Sequence, residues 1–142
     1  SNHFDFNNLE KSTNKKSYRP SFCILVYPVI SMKDKLTHLG SKNSLLGSFP
    51  TDEEVYFFSN ELQISAEKTP PTLLIHAIDD AVVIPENSIL YHKALQENKI
   101  PTRLHLMEQG GHGFGIKNAL APTNSWLKIT KEWLKNQKII AH

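Results

Sequence analysis

Three short runs of apolar residues stand out along the chain, and residues that break regular structure bound each of them. They cover residues 21–27, 72–76 and 102–107. The first run ends at Pro28, which has no N–H to donate to a strand ladder. An apolar run without alternation is typical of a strand buried on both faces, as in a parallel sheet covered by helices. The pattern therefore predicts three buried strands.

The segment between the first two runs contains a clear helix start. Thr51 and Glu54 form the pattern of a capping box, in which each side chain accepts a hydrogen bond from the other residue's backbone. The helix that follows has an apolar face made of Val55, Phe58 and Leu62. We expect Phe57 and Phe58 to pack in the core, and the alternative is that they form a wall of a substrate pocket.

Three further segments have helical patterns. Ser41 and Gly47 mark the start and the end of a brief helix. A longer helix is predicted over residues 85–96, with Asn98 as its stop, and the last one over residues 122–137. The apolar faces of the two longer helices comprise Ile89, Leu90, Ala94 and Leu95, and Trp126, Ile129, Trp133 and Leu134.

The order of these elements predicts the fold class. Strands that alternate with helices indicate an α/β fold with a parallel sheet and right-handed crossovers, here with three strands and three to four helices. Residues 1–20 have no apolar period and read as an irregular leader or loop, whereas residues 21–142 form the folded part. Three strands leave a sheet edge and much of its faces uncovered. We therefore expect this sequence to be a piece of a larger sheet.

Composition and charge exclude several classes of function. A net charge of +2 gives no basis for binding nucleic acid, and no run of about 18 apolar residues predicts a membrane span. No glycine-rich motif of the kind that cradles phosphate is present. The single cysteine, Cys23, lies inside the first apolar run, so we expect a buried and unreactive thiol.

Candidate chemistry is concentrated after the second and third strands. Asp79 and Asp80 follow the second strand, and His112 comes 32 residues after Asp80, beyond one helix and one strand. Four of the six glycines, at positions 110, 111, 113 and 115, surround His112, which is more than a simple turn needs. Because open parallel sheets place their chemistry at the carboxyl ends of the strands, we expect an aspartate and this histidine to meet there.

These residues also resemble a known family. The sequences HAIDDAVV at 76–83, PENS at 85–88 and GGHGFG at 110–115 resemble the carboxyl-terminal half of an α/β-hydrolase, within the bacterial esterase/lipase group that includes acetyl xylan and feruloyl esterases. The resemblance extends over residues 20–137. It implies that Asp80 is the acid of a catalytic triad, with Asp79 as the second candidate, and that His112 is its base. It also implies an ester of a small molecule or carbohydrate as substrate, and no cofactor.

One part of the family pattern is missing. The sequence contains no Gly-x-Ser-x-Gly segment, on which these enzymes carry their nucleophilic serine, and no glycine-rich oxyanion loop before it. The resemblance implies that these parts belong to the amino-terminal half of the fold, ahead of Ser1. We therefore expect this chain alone to be inactive, because a triad without its nucleophile loses most of its rate enhancement.

Other functions remain open at this point. A serine peptidase of the prolyl-oligopeptidase type has a similar arrangement of aspartate and histidine. A non-catalytic α/β binding module would also fit a chain without a nucleophile. A metal site formed by His76, Asp79, Asp80 and His112 is a weaker alternative, because their spacing matches no compact zinc pattern.

Overall fold

The computed structural model of the protein describes residues 19–116 and 125–141. In chain order the elements are β1 (Cys23–Val26), α1 (Leu39–Leu46), α2 (Asp52–Phe58), a short 3-10 helix (Asn60–Leu62), β2 (Thr72–Ala77), α3 (Glu86–Glu97), β3 (Thr102–Met107) and α4 (Ser125–Asn136). The three predicted strands and their alternation with helices are confirmed, but only β2 is fully buried, whereas β1 and most of β3 are half-buried. Most of the predicted leader and the predicted start of the last helix, at Pro122, lie outside the described residues. No helix within residues 19–116 and 125–141 is long and apolar enough to cross a membrane.

The three strands form one parallel sheet in the order β1-β2-β3. Thr72 of β2 is in register with Cys23 on one side and with Thr102 on the other. The central strand, β2, is buried along all six of its residues, whereas β1 is half-buried. Because the strands are parallel, their carboxyl ends lie at one edge of the sheet, and the loops that follow them are neighbours.

Helices pack on both faces of β2, as the apolar run predicted. Leu73, Ile75 and Ala77 point to one face, where they form a core with residues from β3, α4 and the loop between them. The buried members from those elements are Met107, Phe114, Trp126 and Trp133. Leu74 points to the other face, where it packs with Leu95 of α3 and with Ile100. The alternation follows from the two-residue period of a strand.

A buried asparagine joins α3 to the chain that leaves β1. The carbonyl oxygen Oδ1 of Asn87 accepts hydrogen bonds from the backbone N–H groups of Ile30 and Ser31, both at 3.0 Å. Its amide nitrogen donates to the carbonyl oxygens of Leu36 at 2.7 Å and Ile84 at 3.2 Å. All four bonding positions of the amide are therefore occupied, which is what a fully buried amide needs to be tolerated.

The predicted start and end residues of the first two helices were partly correct. The capping box is confirmed, since Thr51 Oγ1 accepts from the N–H of Glu54 at 3.2 Å and Glu54 Oε2 accepts from the N–H of Thr51 at 2.8 Å. Gly47 ends α1 with φ +80°. The prediction that Ser41 caps α1 is wrong: His38 is the cap, and its Nδ1 accepts from the N–H of Ser41 at 3.3 Å.

The predicted burial of two helix faces was less accurate. The expected core packing is wrong for Phe57, which is 46% exposed, and Phe58 is only half-buried; α2 contains no fully buried residue. In α3, Ile89 is 40% exposed, while the polar residues Asn87 and Ser88 are buried. Helical spacing indicates which side chains share a face, but the elements that pack against that face decide whether it is covered.

Candidate active site

Two loops leave the same edge of the sheet and meet there. The loop after β2 carries Asp79 and Asp80, and the loop after β3 carries His112. The two loops start side by side, because the N–H of Ile78 donates to the carbonyl oxygen of Met107 at 2.8 Å just beyond the paired strands. The parallel register of β2 and β3 thus brings an acidic loop and a histidine loop into contact.

Asp80 and His112 form a direct hydrogen bond. Nδ1 of His112 lies 2.8 Å from Oδ2 of Asp80. The carboxylate is completely buried, whereas the imidazole is 31% exposed. The acid therefore lies behind the histidine, and the ring is the part of the pair that a reacting group can approach.

The backbone of the turn fixes the orientation of the Asp80 carboxylate. Its Oδ1 accepts hydrogen bonds from the N–H groups of Val82 and Val83, both at 2.9 Å, which leaves Oδ2 directed toward His112. Burial by itself raises the pKa of this carboxyl group. The bonds from Val83, His112 and Val82 outweigh that effect and hold the pKa below its ordinary value. Asp80 is therefore an anion at neutral pH.

This anion determines which nitrogen of His112 carries the proton. A carboxylate only accepts hydrogen bonds, so Nδ1 must be the N–H that faces Oδ2. In the neutral ring, Nε2 is then left with its lone pair and can take a proton. The ring of His112 is thus held from behind by Asp80, with its Nε2 lone pair on the side away from this hydrogen bond.

Tyr27 supports the imidazole from a third strand end, and sequence reasoning missed it. Its ring centroid lies 4.7 Å from that of His112 and 4.8 Å from that of Phe114. Its backbone has φ +41°, a left-handed conformation that costs a non-glycine residue about 1–3 kcal/mol. The available signal was its position directly after β1, at the same sheet edge as the two loops.

Asp79 has a different partner from Asp80. Its Oδ1 accepts a hydrogen bond from the N–H of Gly111 at 2.8 Å. Gly111 has φ +59° and Gly113 has φ +76°, conformations that residues with a side chain rarely adopt. The glycines therefore let the chain turn on both sides of His112, and Asp79 ties this turn to the loop after β2.

Asp79→Ala is expected to increase the exchange rate of the Gly111 amide hydrogen by about tenfold, the effect of losing one hydrogen bond at a partly exposed site. Asp79→Asn is the matched control, because its amide oxygen can still accept from Gly111. Hydrogen exchange measured residue by residue checks this. Equal exchange rates in the wild type and in Asp79→Ala would show that Asp79 does not hold this loop.

Two other candidates suggested by the sequence have different surroundings. Within the described residues, His76, Asp79, Asp80 and His112 do not form a cluster that could hold a metal ion. Cys23 is half-buried, and burial raises the pKa of its thiol, so the thiol stays protonated at neutral pH. Neither observation offers a second reactive centre in this part of the chain.

The chain matches a protein family and is similar in sequence to two known proteins. The model of the prolyl oligopeptidase family matches residues 13–138. The chain is 43% identical over 102 residues to endo-1,4-beta-xylanase B of Butyrivibrio fibrisolvens. This alignment covers 72% of this chain and 16% of that protein. It is 31% identical over 121 residues to acetylxylan esterase of Xylanibacter ruminicola. This second alignment covers 83% of this chain and 25% of that protein.

A solved structure shares the fold. The acetyl ester-xyloside bifunctional hydrolase from Caldicellulosiruptor lactoaceticus matches with a TM-score of 0.82 and 37% sequence identity. The match covers 87% of this chain and 44% of that chain. The chain thus spans less than half the length of this structure and a quarter or less of the two relatives.

Proposed function

The chain belongs to the prolyl oligopeptidase family of α/β-hydrolases, and we propose that the protein containing it is a serine hydrolase that cleaves carboxylic esters, with acylated carbohydrate as its substrate. The observation that carries the proposal is the 2.8 Å hydrogen bond between buried Asp80 and partly exposed His112. In this proposal Asp80 is the acid of the triad and His112 is its base.

In this proposal each residue has a defined step. Nε2 of His112 removes the proton from a serine hydroxyl while the serine oxygen attacks the carbonyl carbon of the ester. The imidazolium that forms is stabilised by Asp80 through the Nδ1–H bond, and it returns the proton to the oxygen of the departing alcohol. Water, activated by the same imidazole, then releases the acid from the acyl-serine. No cofactor is needed for these steps.

In this proposal the serine and its oxyanion hole belong to residues outside the 142-residue sequence. Two observations support this: the sequence has no Gly-x-Ser-x-Gly segment, and it spans 44% of the similar solved structure. The 142 residues alone should therefore not turn over substrate, because they supply the acid and the base but no nucleophile.

Two observations support an acylated carbohydrate as the substrate. Two of the similar proteins are named as an acetylxylan esterase and an acetyl ester-xyloside hydrolase. The names of the xylanase and of the bifunctional hydrolase also suggest cleavage of the sugar chain, but that reaction uses two carboxyl groups flanking the bond. Here the Asp80 carboxylate is buried and bonded to an imidazole, which fits acyl transfer.

The proposal is tested with the complete natural polypeptide. We expect it to release acetate from acetylated xylan and to hydrolyse p-nitrophenyl acetate at least about 100-fold faster than a proline peptide p-nitroanilide, compared as kcat/KM. A fluorophosphonate should label one serine outside the 142-residue sequence, which peptide mass spectrometry can locate. Absence of both ester hydrolysis and labelling would contradict the proposed function and favour a non-catalytic module.

A serine peptidase is the second candidate, because the family whose model matches is described as the prolyl oligopeptidase family. The same pair of residues can serve amide hydrolysis, since the steps differ only in the leaving group. Faster cleavage of the proline anilide than of the ester, with no acetate released from acetylated xylan, would select this candidate.

A further inference from the structure

We infer that His76 is a positioning residue of the active site, a second and fully buried histidine that holds the Asp80 carboxylate in place for His112. The inference rests on the proposed function and extends it. His76 is the fifth residue of β2, and its side chain is completely buried. Its Nε2 lies 3.3 Å from Oδ2 of Asp80, which is the same oxygen that faces His112.

The surroundings of His76 determine its tautomer. Nε2 faces two acceptors, the carbonyl oxygen of Val83 at 2.8 Å and Oδ2 of Asp80 at 3.3 Å, so Nε2 carries the hydrogen. Nδ1 lies 2.7 Å from the hydroxyl of Ser88, which can donate to it. With Nε2 as donor and Nδ1 as acceptor, both nitrogens of a neutral, buried ring are satisfied.

In this arrangement two N–H groups face each Asp80 oxygen. The N–H groups of Val82 and Val83 donate to Oδ1, and the imidazoles of His112 and His76 face Oδ2. The hydrogen bonds from Val82, Val83 and His112 keep the carboxylate charged, and the N–H of His76, 3.3 Å from Oδ2, opposes its rotation away from His112. Among the residues that the structure describes, the titratable groups that face Oδ2 of Asp80 are His112 from the loop after β3, through its hydrogen bond, and His76 from β2, at 3.3 Å.

His76 also connects the acid to the scaffold. Ser88 lies in the first turn of α3, and Val83 lies in the loop that leads to it. The ring bonds to Ser88 of the helix through Nδ1 and to the carbonyl oxygen of Val83 through Nε2, and Nε2 also lies 3.3 Å from the acid. A simple packing role would need neither bond, since leucine or valine fills a buried strand position without leaving polar atoms to satisfy.

The test compares variants of His76 in the complete natural polypeptide. His76→Leu removes the N–H that lies beside Oδ2. It is expected to lower kcat for p-nitrophenyl acetate about 10- to 100-fold, the kinetic equivalent of one hydrogen bond to a charged group. It should also move the acidic limb of the kcat/KM profile upward by about half a pH unit, because a carboxylate with fewer donors attracts the imidazolium of His112 more strongly.

Two further variants separate positioning from packing. His76→Gln keeps an N–H at the same end of the side chain and should restore most of the wild-type profile. His92→Leu is the matched control, because His92 is a half-buried histidine of α3 that bonds to Thr102 and not to Asp80. It is expected to leave the acidic limb unmoved. An unmoved limb in His76→Leu, with only thermal stability reduced, would overturn the inference.

A measurement on the wild type covers the case in which His76→Leu does not fold. Nitrogen-15 NMR of the histidine rings should show His76 as the neutral Nε2–H tautomer near pH 7.5. A ring protonated at Nδ1 alone, or at both nitrogens, would overturn the inference. The NMR measurement does not depend on enzyme activity. Absence of esterase activity would therefore contradict the proposed function, whereas the NMR result would still test the tautomer of His76.

Discussion

Asp80→Asn, introduced into the complete natural polypeptide, is expected to lower kcat for p-nitrophenyl acetate by about 10³- to 10⁴-fold. The N–H groups of Val82 and Val83 both donate to Oδ1, so an asparagine keeps its carbonyl oxygen at that position. Its amide nitrogen then replaces Oδ2 and directs hydrogens at Nδ1 of His112. An imidazole whose Nδ1 must accept carries its proton on Nε2, and it can no longer deprotonate serine.

The kinetic loss should occur without a change of fold, which circular dichroism can check. Asp52→Asn is the matched control, because Asp52 is an exposed residue in the first turn of α2, and its kcat should stay within about twofold of the wild type. If Asp80→Asn lowered kcat by less than about tenfold, Asp80 would be a turn residue after β2 rather than the acid of a triad.

Phe114→Ala is expected to lower the free energy of unfolding by about 3–5 kcal/mol, the usual loss when a large buried aromatic ring is truncated. The ring is 1% exposed. It packs edge-to-face against Tyr27 at 4.8 Å and against Trp126 at 6.5 Å, between the sheet and α4. Because Phe114 lies two residues after His112, the same cavity should also loosen the loop that holds His112.

Urea unfolding of the complete polypeptide, followed by tryptophan fluorescence, measures this loss. Phe114→Leu should lose only about 1–2 kcal/mol, because leucine fills most of the space. Ile116→Ala is the surface control, since Ile116 is 68% exposed and its truncation should change the free energy by no more than about 0.5 kcal/mol. A midpoint for Phe114→Ala equal to that of Ile116→Ala would show that this ring does not stabilise the core.

The two neighbouring aspartates show how far the candidate site could be predicted. The order of strands and loops placed Asp79, Asp80 and His112 at one sheet edge, because parallel strands end on the same side. Spacing alone left both aspartates open, and only the family resemblance favoured Asp80. Their different contacts depend on the turn after β2, which directs Asp80 toward Val82, Val83 and His112 and directs Asp79 toward Gly111.

The amino-acid sequence by itself determined the features that depend on residues a few positions apart. The three strands, the capping box at Thr51 and the helix end at Gly47 belong to this class, because they follow from local backbone preferences and short hydrogen bonds.

Only the tertiary structure decided which buried polar groups find partners and which helix faces are covered. Asn87 bonds to the backbone of Ile30, 57 residues earlier in the chain, and Tyr27 meets His112 from a strand that is not adjacent to β3. Phe57 is exposed although it was expected to pack in the core. Each of these outcomes depends on elements that are distant in sequence and meet only in the folded chain, so no local pattern could contain them.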